Sequence, residues 1–218
     1  MFSYLFLGCS RYHQQNSGLE KPTPFASIVI PVSFLYLIAN GLNFPEQPTW
    51  GSWGGRYQGS GPVYLDLDDD QPSGKPTGKQ AKLTVARWRP AFQNDFAARM
   101  DWCVQSFKEA NHNPVAAFDG DTSKDVVEIT AAPGAELPLS AEGSTDPDGD
   151  QLNFRWFVLE GVNTYTGSVN LPDANAQNAV LTIPEDATTD QTIHVILEVT
   201  DDGEPMLYSY RRIVISVQ

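Results

Sequence analysis

The sequence predicts an α+β protein in which a mixed front half precedes an all-β sandwich. Three observations support this prediction. Apolar and polar residues alternate through residues 152–158, which is the period of a strand with one buried face. Apolar residues between positions 92 and 107 instead recur every three or four positions, as they do on a helix. Residues 113–218 carry 18 acidic and 4 basic residues, whereas residues 1–112 carry 9 and 10, so the composition changes near residue 113.

Predicted strands follow one another at short intervals in the C-terminal half. The clearest alternates from Ile193 to Val199, which places His194 and Glu198 on the face away from the core. We expect seven strands, at residues 126–130, 136–141, 152–160, 165–171, 179–183, 192–200 and 208–217. Seven short antiparallel strands joined by turns are typical of an immunoglobulin-like β-sandwich, and Trp156 is its expected core residue.

An acidic turn precedes the strand that carries Trp156. Residues 144–150 read Ser-Thr-Asp-Pro-Asp-Gly-Asp, and Pro, Gly and Asp each favour a turn. In such a sandwich this loop lies at the same end as the loop between the sixth and seventh strands. Seven carboxylates are therefore expected to converge: Asp119, Asp121, Asp146, Asp148, Asp150, Asp201 and Asp202.

Like charges held together raise one another's pKa and destabilise the fold unless a cation offsets them. We therefore hypothesise a Ca²⁺ ion at this end of the sandwich. The expected metal ligands are Asp146, Asp148, Asp150, Asp201 and Asp202. The alternative is a metal-free loop in which Asp side chains bond their own backbone.

A helix is predicted from about Pro90 to about Asn111. Proline suits the first turn of a helix, and Pro114 forces an extended residue before it. The expected apolar stripe consists of Phe92, Phe96, Met100, Cys103 and Phe107. Asp95 lies off this stripe, where it would either pair along the helix or point into a site.

Residues 45–57 set two tryptophans and a tyrosine among small residues, after a predicted buried apolar run at residues 34–38. Small neighbours let aromatic faces approach a flat partner such as a sugar ring. The candidate carbohydrate-binding residues are Trp50, Trp53, Arg56 and Tyr57, with Tyr165 and Tyr208 as further exposed rings. Trp53 is the leading candidate. The alternative is that the tryptophans of this loop plug the underside of the domain.

Composition excludes some classes of function. The net charge of −13 and the acidic C-terminal half argue against binding nucleic acid, whose phosphates would be repelled. The longest apolar run, residues 25–39, is interrupted by Pro31 and is shorter than the roughly 20 residues of a membrane helix, so no membrane span is expected. Two cysteines support no disulfide framework. Residues 5–9, Leu-Phe-Leu-Gly-Cys, approximate a lipoprotein acylation box that lacks a basic n-region.

Four strings in the front half resemble one protein family. They are Phe-Leu-Tyr-Leu-Ile-x-Asn-Gly-Leu at 34–42, Trp-Gly-Ser-Trp-Gly-Gly-Arg-Tyr at 50–57, Arg-Trp-Arg-Pro-x-Phe-Gln-Asn-Asp-Phe-Ala-Ala-Arg-Met-Asp-Trp at 87–102, and Ala-Asn-His at 110–112. With the acidic turn, which is typical of PKD and cadherin-like modules, they make the chain similar to a family described as cellulose-binding. Its members carry a nucleoside hydrolase-like α/β domain followed by an immunoglobulin-like domain.

This resemblance implies a division of the chain. Residues 1–31 are unmatched, residues 32–113 resemble the C-terminal part of the hydrolase-like domain of an N-terminally truncated member, and residues 114–218 resemble the sandwich. A remnant without its earlier strands would leave an apolar face and an unpaired edge. We therefore expect that residues 1–31 or a partner cover that edge, or else that this half is poorly ordered.

The resemblance also bears on catalysis. In nucleoside hydrolases an Asp-rich motif near the start of the domain holds the Ca²⁺ that activates water, and this chain lacks it. Asn94-Asp95 resembles a later His-Asp pair of those enzymes, with Asn in place of His. One aspartate cannot supply the six to eight oxygen ligands that Ca²⁺ takes. We predict that the chain does not hydrolyse nucleosides.

The leading functional interpretation is an extracellular or periplasmic binding protein for cellulose or a related plant cell-wall glucan. A second interpretation is a fragment of an enzyme that cleaves N-glycosides. A third is a structural or adhesion spacer, in which the sandwich acts only as a folded module. Binding of a polysaccharide would separate the first interpretation from the third.

Overall fold

The computed structural model describes residues 33–60, 63–67 and 83–218. Two 3₁₀ turns come first, Ser33–Leu37 and Pro48–Trp50. The other elements are β1 (Tyr57–Ser60), β2 (Val63–Asp66), α1 (Leu83–Ala86), α2 (Arg89–Asp101), β3 (Val127–Ala131), β4 (Glu136–Ser140), β5 (Asn153–Val158), β6 (Asn178–Thr182), β7 (Thr192–Thr200) and β8 (Tyr208–Val217). The predictions for residues 1–31, the acylation box among them, lie outside the described residues.

The C-terminal half packs two sheets face to face. The larger has the order β3-β8-β7-β5 and the smaller pairs β4 with β6. Trp156 lies between the sheets with Leu139 and Leu181, and its indole N–H donates to the carbonyl of Ala176 at 3.0 Å. The predicted β-rich half built around Trp156 is confirmed.

One predicted strand is wrong, and one pairing differs from the expectation. Residues 165–171 form no strand, because Tyr165 turns into the core and its hydroxyl donates to Asp186 at 2.8 Å. The six other predictions match β3–β8 to within two residues. The expectation of purely antiparallel strands also fails, since β3 runs parallel to β8.

The outer face of the larger sheet carries a second core. Residues 193–199 of β7 are all buried, so the face that holds His194 and Glu198 is not open to solvent. Front-half side chains cover it. This core consists of Leu35, Leu42, Trp53, Trp88 and Ala91 from the front half with Leu159, Ile196 and Tyr210 from the sandwich. Burial of apolar area on both faces of the sheet therefore joins the two halves.

Arg212, on β8, fastens the front half to this face. Its fully buried guanidinium donates to the carbonyls of Leu42 at 3.0 Å, Gly51 at 2.7 Å and Trp50 at 3.2 Å. Its Nη1 lies 3.3 Å from Nδ1 of His194. Burial lowers the pKa of Arg212 to about 10, and burial followed by the Arg212 charge lowers the pKa of His194 to about 3. His194 is therefore neutral, with Nδ1 accepting from the arginine.

Helix α2 is shorter than predicted, and it buries a different face. It ends at Asp101, because Cys103 and Val104 donate to carbonyls three residues back and tighten the chain into turns. The residues it buries are Ala91, Asp95 and Ala98. Phe107, expected on the helix stripe, is 65% exposed in the segment that follows. Small alanines allow the close approach of the helix to the sheet.

The apolar run at residues 34–38 is only partly buried, because a 3₁₀ turn points successive side chains in different directions. Leu35 and Tyr36 are buried, whereas Phe34 and Leu37 are exposed. Among residues 33–60, 63–67 and 83–218, no helix is both long and apolar enough to cross a membrane.

Candidate functional site

The acidic turn is closed by hydrogen bonds to its first aspartate, Asp146. Oδ1 of Asp146 accepts the backbone N–H groups of Asp148 at 2.8 Å and Asp150 at 3.1 Å, and Gly149 supplies the positive φ of 86°. This folding brings one carboxylate oxygen from each of Asp146, Asp148 and Asp150 to within 4.8 Å of one another. The turn thus gathers three negative charges through local geometry alone.

The loop after β7 brings two further carboxylates. Asp201 is fully buried, and its Oδ1 accepts the N–H of Leu207 at 2.8 Å while its Oδ2 accepts from Asn111 at 3.2 Å. Asp202 accepts the N–H of Gln151 at 2.8 Å. Hydrogen bonds from three separate segments therefore hold the two acidic loops side by side.

Electrostatics within this acidic cluster oppose full ionisation. Burial, and then the charges of Asp146, Asp202 and Asp148, raises the pKa of Asp150. Burial also raises the pKa of Asp201, against the hydrogen bonds that it accepts. Oδ2 of Asp146 is buried and has no hydrogen-bond partner in the described part of the chain. An acceptor-only oxygen set with an orphaned buried oxygen fits a hard cation such as Ca²⁺.

The expected convergence of seven carboxylates is too broad. Asp121 is engaged elsewhere, since Oδ2 lies 2.6 Å from Nη2 of Arg211 and also accepts from the hydroxyl of Ser123. The backbone N–H of Ser123 also donates to Oδ1 of Asp121. This bond lowers the pKa of Asp121 most, followed by the bond from the Ser123 hydroxyl and by the charge of Arg211. The close group is the Asp146, Asp148 and Asp150 triad.

A stack of three rings lies against the acidic turn. The ring of His112 is parallel to that of Trp102, at 5.4 Å and 6°, and its other neighbour, Phe107, is stacked at 3.8 Å and 23°. The stack is fixed from two sides. The backbone N–H of His112 donates to Asp148 at 2.7 Å, and the indole N–H of Trp102 donates to the carbonyl of Asn111 at 2.7 Å.

The aromatic loop is mostly structural. Trp53, the leading sugar-binding candidate, has no exposed surface, and its indole N–H lies 3.3 Å from the hydroxyl of Tyr210. The prediction that it presents an exposed ring is wrong, because the Ser52–Gly55 turn directs it into the second core. Arg56 is buried too. Of this loop, Trp50 and Tyr57 keep partly exposed rings.

Trp50, Tyr165 and Tyr208 differ in how much of each ring is exposed. Trp50 is stacked on Phe44 at 5.3 Å and meets the edge of His194 at 4.9 Å. Tyr165 is buried, contrary to the prediction, because its ring fills the core between the sheets. Tyr208 is partly exposed. Of the candidate sugar-binding rings, only those of Tyr57, Trp50 and Tyr208 are exposed enough to contact a sugar.

The Asn94-Asp95 pair also has structural partners. Asp95 is buried, and its Oδ2 lies 2.7 Å from Nε of Arg99, one helical turn away. Asn94 donates from its side chain to the carbonyl of Met206 at 2.9 Å. Of the two uses considered for Asp95, pairing along the helix is the one observed.

Sequence reasoning missed the ring stack. The spacing of apolar residues places Phe107 on the helix stripe, and His112 enters the predictions only near the helix end and in the Ala-Asn-His string at 110–112. The available signal was local: an aromatic residue, a short polar segment and then Asn111-His112 after a helix that stops at Asp101. Ending the helix earlier would have placed Trp102, Phe107 and His112 in one loop.

Two family models match segments of the chain, one in each half. The model for the C-terminal domain of the cellulose-binding protein Sde0182 matches residues 136–217. The model for the nucleoside hydrolase-like domain of cellulose-binding Sde182 matches residues 31–57. No curated protein matches the chain.

The solved structures that are similar to this chain include a strong match. A nucleoside hydrolase-related hypothetical protein from Saccharophagus degradans, associated with carbohydrate metabolism, is 34% identical with a TM-score of 0.72, over 86% of this chain and 47% of that one. The PKD domain from KIAA 1837 protein is 18% identical with a TM-score of 0.32, over 47% of this chain and 88% of that one. The endo-fucoidan hydrolase MfFcnA4 is 18% identical with a TM-score of 0.31, over 49% of this chain and 14% of that one.

The chain spans about half the length of the Saccharophagus protein. The two family models describe successive domains of one kind of protein, and they match this chain in that order. The chain therefore belongs to the family of the cellulose-binding protein Sde0182 and its nucleoside hydrolase-related relatives.

Proposed function

We propose that this chain binds cellulose or a related plant cell-wall glucan and has no hydrolytic centre of its own. The observation that carries the proposal is the match of both halves to models whose descriptions name cellulose binding. The relative associated with carbohydrate metabolism supports the same ligand class. A cell-wall ligand requires a place outside the cytoplasm, so we propose an extracellular or periplasmic protein.

The surroundings of Asp95 support a role without catalysis. This carboxylate is buried, and both of its oxygens lie within hydrogen-bond distance of the guanidinium of Arg99. Asn94 is bonded to the loop before β8. Both residues therefore serve in our proposal to position helix α2.

The proposed sugar contacts of the aromatic loop are Tyr57 and Trp50. Tyr57 is the better test, because its ring is only tilted against Tyr36 at 5.5 Å, whereas Trp50 packs on Phe44 and His194. In the proposal, Trp53 and Arg56 hold the loop in shape from within. An alanine at position 57 removes one partly exposed ring and leaves those two residues in place.

We expect the wild-type chain to be retained on microcrystalline cellulose, with retention little changed by salt, since a neutral glucan offers no charge to screen. Tyr57→Ala should weaken retention severalfold through the loss of one stacking surface. Sedimentation with cellulose, xylan and chitin measures both effects. Val180→Ala, which changes an exposed apolar residue on β6, is the matched control. Failure of the folded wild type to bind any of the three would contradict the proposal.

The acidic cluster has a proposed part in the same function. We propose that Asp146, Asp148 and Asp150 bind Ca²⁺, with Asp201 and Asp202 contributing to the negative field. The orphaned Oδ2 of Asp146 and the raised pKa of Asp150 support this assignment. Since the turn is bonded to His112, the ion would stiffen the junction between the halves.

Millimolar Ca²⁺ should raise the melting midpoint by several degrees relative to a chelator, because ligand bound only to the native state stabilises it. Asp150→Asn should abolish this shift and raise the midpoint of the metal-free protein, since it removes one charge from a crowded set. Glu128→Gln, at an exposed position on β3, should retain the shift. Scanning calorimetry measures all three, and equal midpoints of the wild type in Ca²⁺ and chelator would eliminate the site.

Three exposed apolar side chains support the expectation of a covering partner. They are Phe34, Leu37 and Leu65, all in the front half. Exposed apolar side chains mark a site of association where they form one contiguous patch. We propose that a partner packs against this part of the front half.

A further inference from the structure

The ring stack beside the acidic turn carries an exposed ring that is supported on one face. Phe107 is 65% exposed, although one face of its ring is stacked on His112 at 3.8 Å. A ring held from one side presents its other face to solvent. Its conformational freedom is already restricted, so a ligand that stacks there loses less entropy on binding.

The supports of Phe107 form a continuous chain into the protein. His112 rests on Trp102, and the guanidinium of Arg99 lies 5.3 Å from the centroid of the Trp102 ring. His112 is bonded to Asp148 through both its backbone N–H and its Nδ1. Phe107 is therefore an exposed ring on a rigid base, and the described part of the chain shows no comparable stack of three.

The charges around the stack select the kind of ligand. The stack has charges of both signs around it. The three carboxylates of the acidic turn lie on the His112 side and Glu109 is exposed in the Phe107 segment, so together they outnumber the two nearby cations, Lys108 and Arg99. Carboxylate oxygens accept hydrogen bonds from sugar hydroxyls but repel carboxylated or sulfated sugars. A flat apolar ring beside such acceptors suits a neutral pyranose, whose axial C–H groups meet the ring while its hydroxyls point outward.

We propose that Phe107, supported by His112 and Trp102, is a second sugar-stacking site that binds a pyranose unit of a neutral β-glucan chain. This inference rests on the proposed glucan-binding function and adds to it a binding residue and a selectivity. The site is separate in sequence from the loop of Tyr57. Neutral oligosaccharides bind to it, and uronate oligomers do not.

The test uses the full chain and calorimetric titration with cellohexaose as the probe. Phe107→Ala is expected to weaken binding about tenfold, and Phe107→Trp, which restores a flat ring, is expected to bind as well as the wild type or better. Val180→Ala removes exposed apolar surface on β6, away from any proposed contact, and is expected to leave binding unchanged. Oligogalacturonate of similar length is expected to give no binding at low salt.

The outcomes separate the two proposals. If the wild type binds no glucan, the proposed function fails; if the wild type binds and Phe107→Ala binds equally, only the stacking site fails. Equal loss in Phe107→Ala and Val180→Ala would also overturn the site, as would oligogalacturonate binding. Light scattering provides a further check, because a dimer that Phe107→Ala dissociates would show that the ring contacts protein instead of sugar. Melting midpoints establish that each variant is folded.

Discussion

Trp53→Ala is expected to lower the free energy of unfolding by about 3–5 kcal/mol, the range for truncating a large buried aromatic side chain. The indole has no exposed surface, packs with Trp88 and Tyr210, and donates toward the Tyr210 hydroxyl. Its loss leaves a cavity between the halves and an orphaned polar group. Urea unfolding followed by circular dichroism measures the change.

The same variant separates a core role from a binding role. Retention on cellulose per folded molecule should be the same for Trp53→Ala as for the wild type, measured below the midpoint of the variant. Phe34→Ala, at an exposed position, should change stability by no more than about 0.5 kcal/mol. A Trp53 variant with wild-type stability and lost retention would reverse this assignment and make Trp53 a ligand contact.

Stability should fall by about 2 kcal/mol between about pH 8 and pH 5 because of His194 alone. Its pKa is lowered to about 3 in the folded protein, by burial first and by the Arg212 charge second, from 6.5 in the unfolded chain. Below pH 6.5 His194 binds a proton in the unfolded state, whereas in the folded state it stays neutral until the pH approaches 3. The stabilisation is thus complete above the unfolded pKa and is lost progressively as the pH falls towards 3.

His194→Asn tests this contribution, because Oδ1 of asparagine replaces Nδ1 as the acceptor for Arg212 and does not titrate. The difference in unfolding free energy between wild type and variant should shrink, on acidification from pH 8 to pH 5, by about 2 kcal/mol. Val195→Ala, next on the same strand, should destabilise equally at all pH values. Parallel pH profiles of the wild type and the His194 variant would show that the histidine is not buried as described.

Strand β7 shows which structural features the alternation of apolar and polar residues can predict. Alternation from Ile193 to Val199 located the strand and its inward face correctly, because successive side chains must point to opposite faces. It could not tell whether the other face meets water or protein. That depends on Trp53 and Leu42, which lie some 150 residues earlier in the chain and are brought there by the fold.

Helix α2 shows that the spacing of apolar residues does not predict where a helix ends. Spacing of three and four continued from Phe92 to Phe107, although the helix ends at Asp101. A stripe of apolar residues records where a helix would bury them and contains no information about the hydrogen bonds that end it. The bond from Trp102 to Asn111 closes this segment locally, whereas the bond from His112 to Asp148, which holds the segment against the acidic turn, is tertiary.

The sequence by itself determined the strands around Trp156 and the acidic turn of Asp146, Asp148 and Asp150. Both depend on local rules, the period of a strand and the turn preferences of Asp, Pro and Gly. Only the tertiary structure decided that Trp53 is core and that Phe107 is exposed on a stack. Burial of a side chain depends on what packs against it, and here the covering residues come from distant parts of the chain.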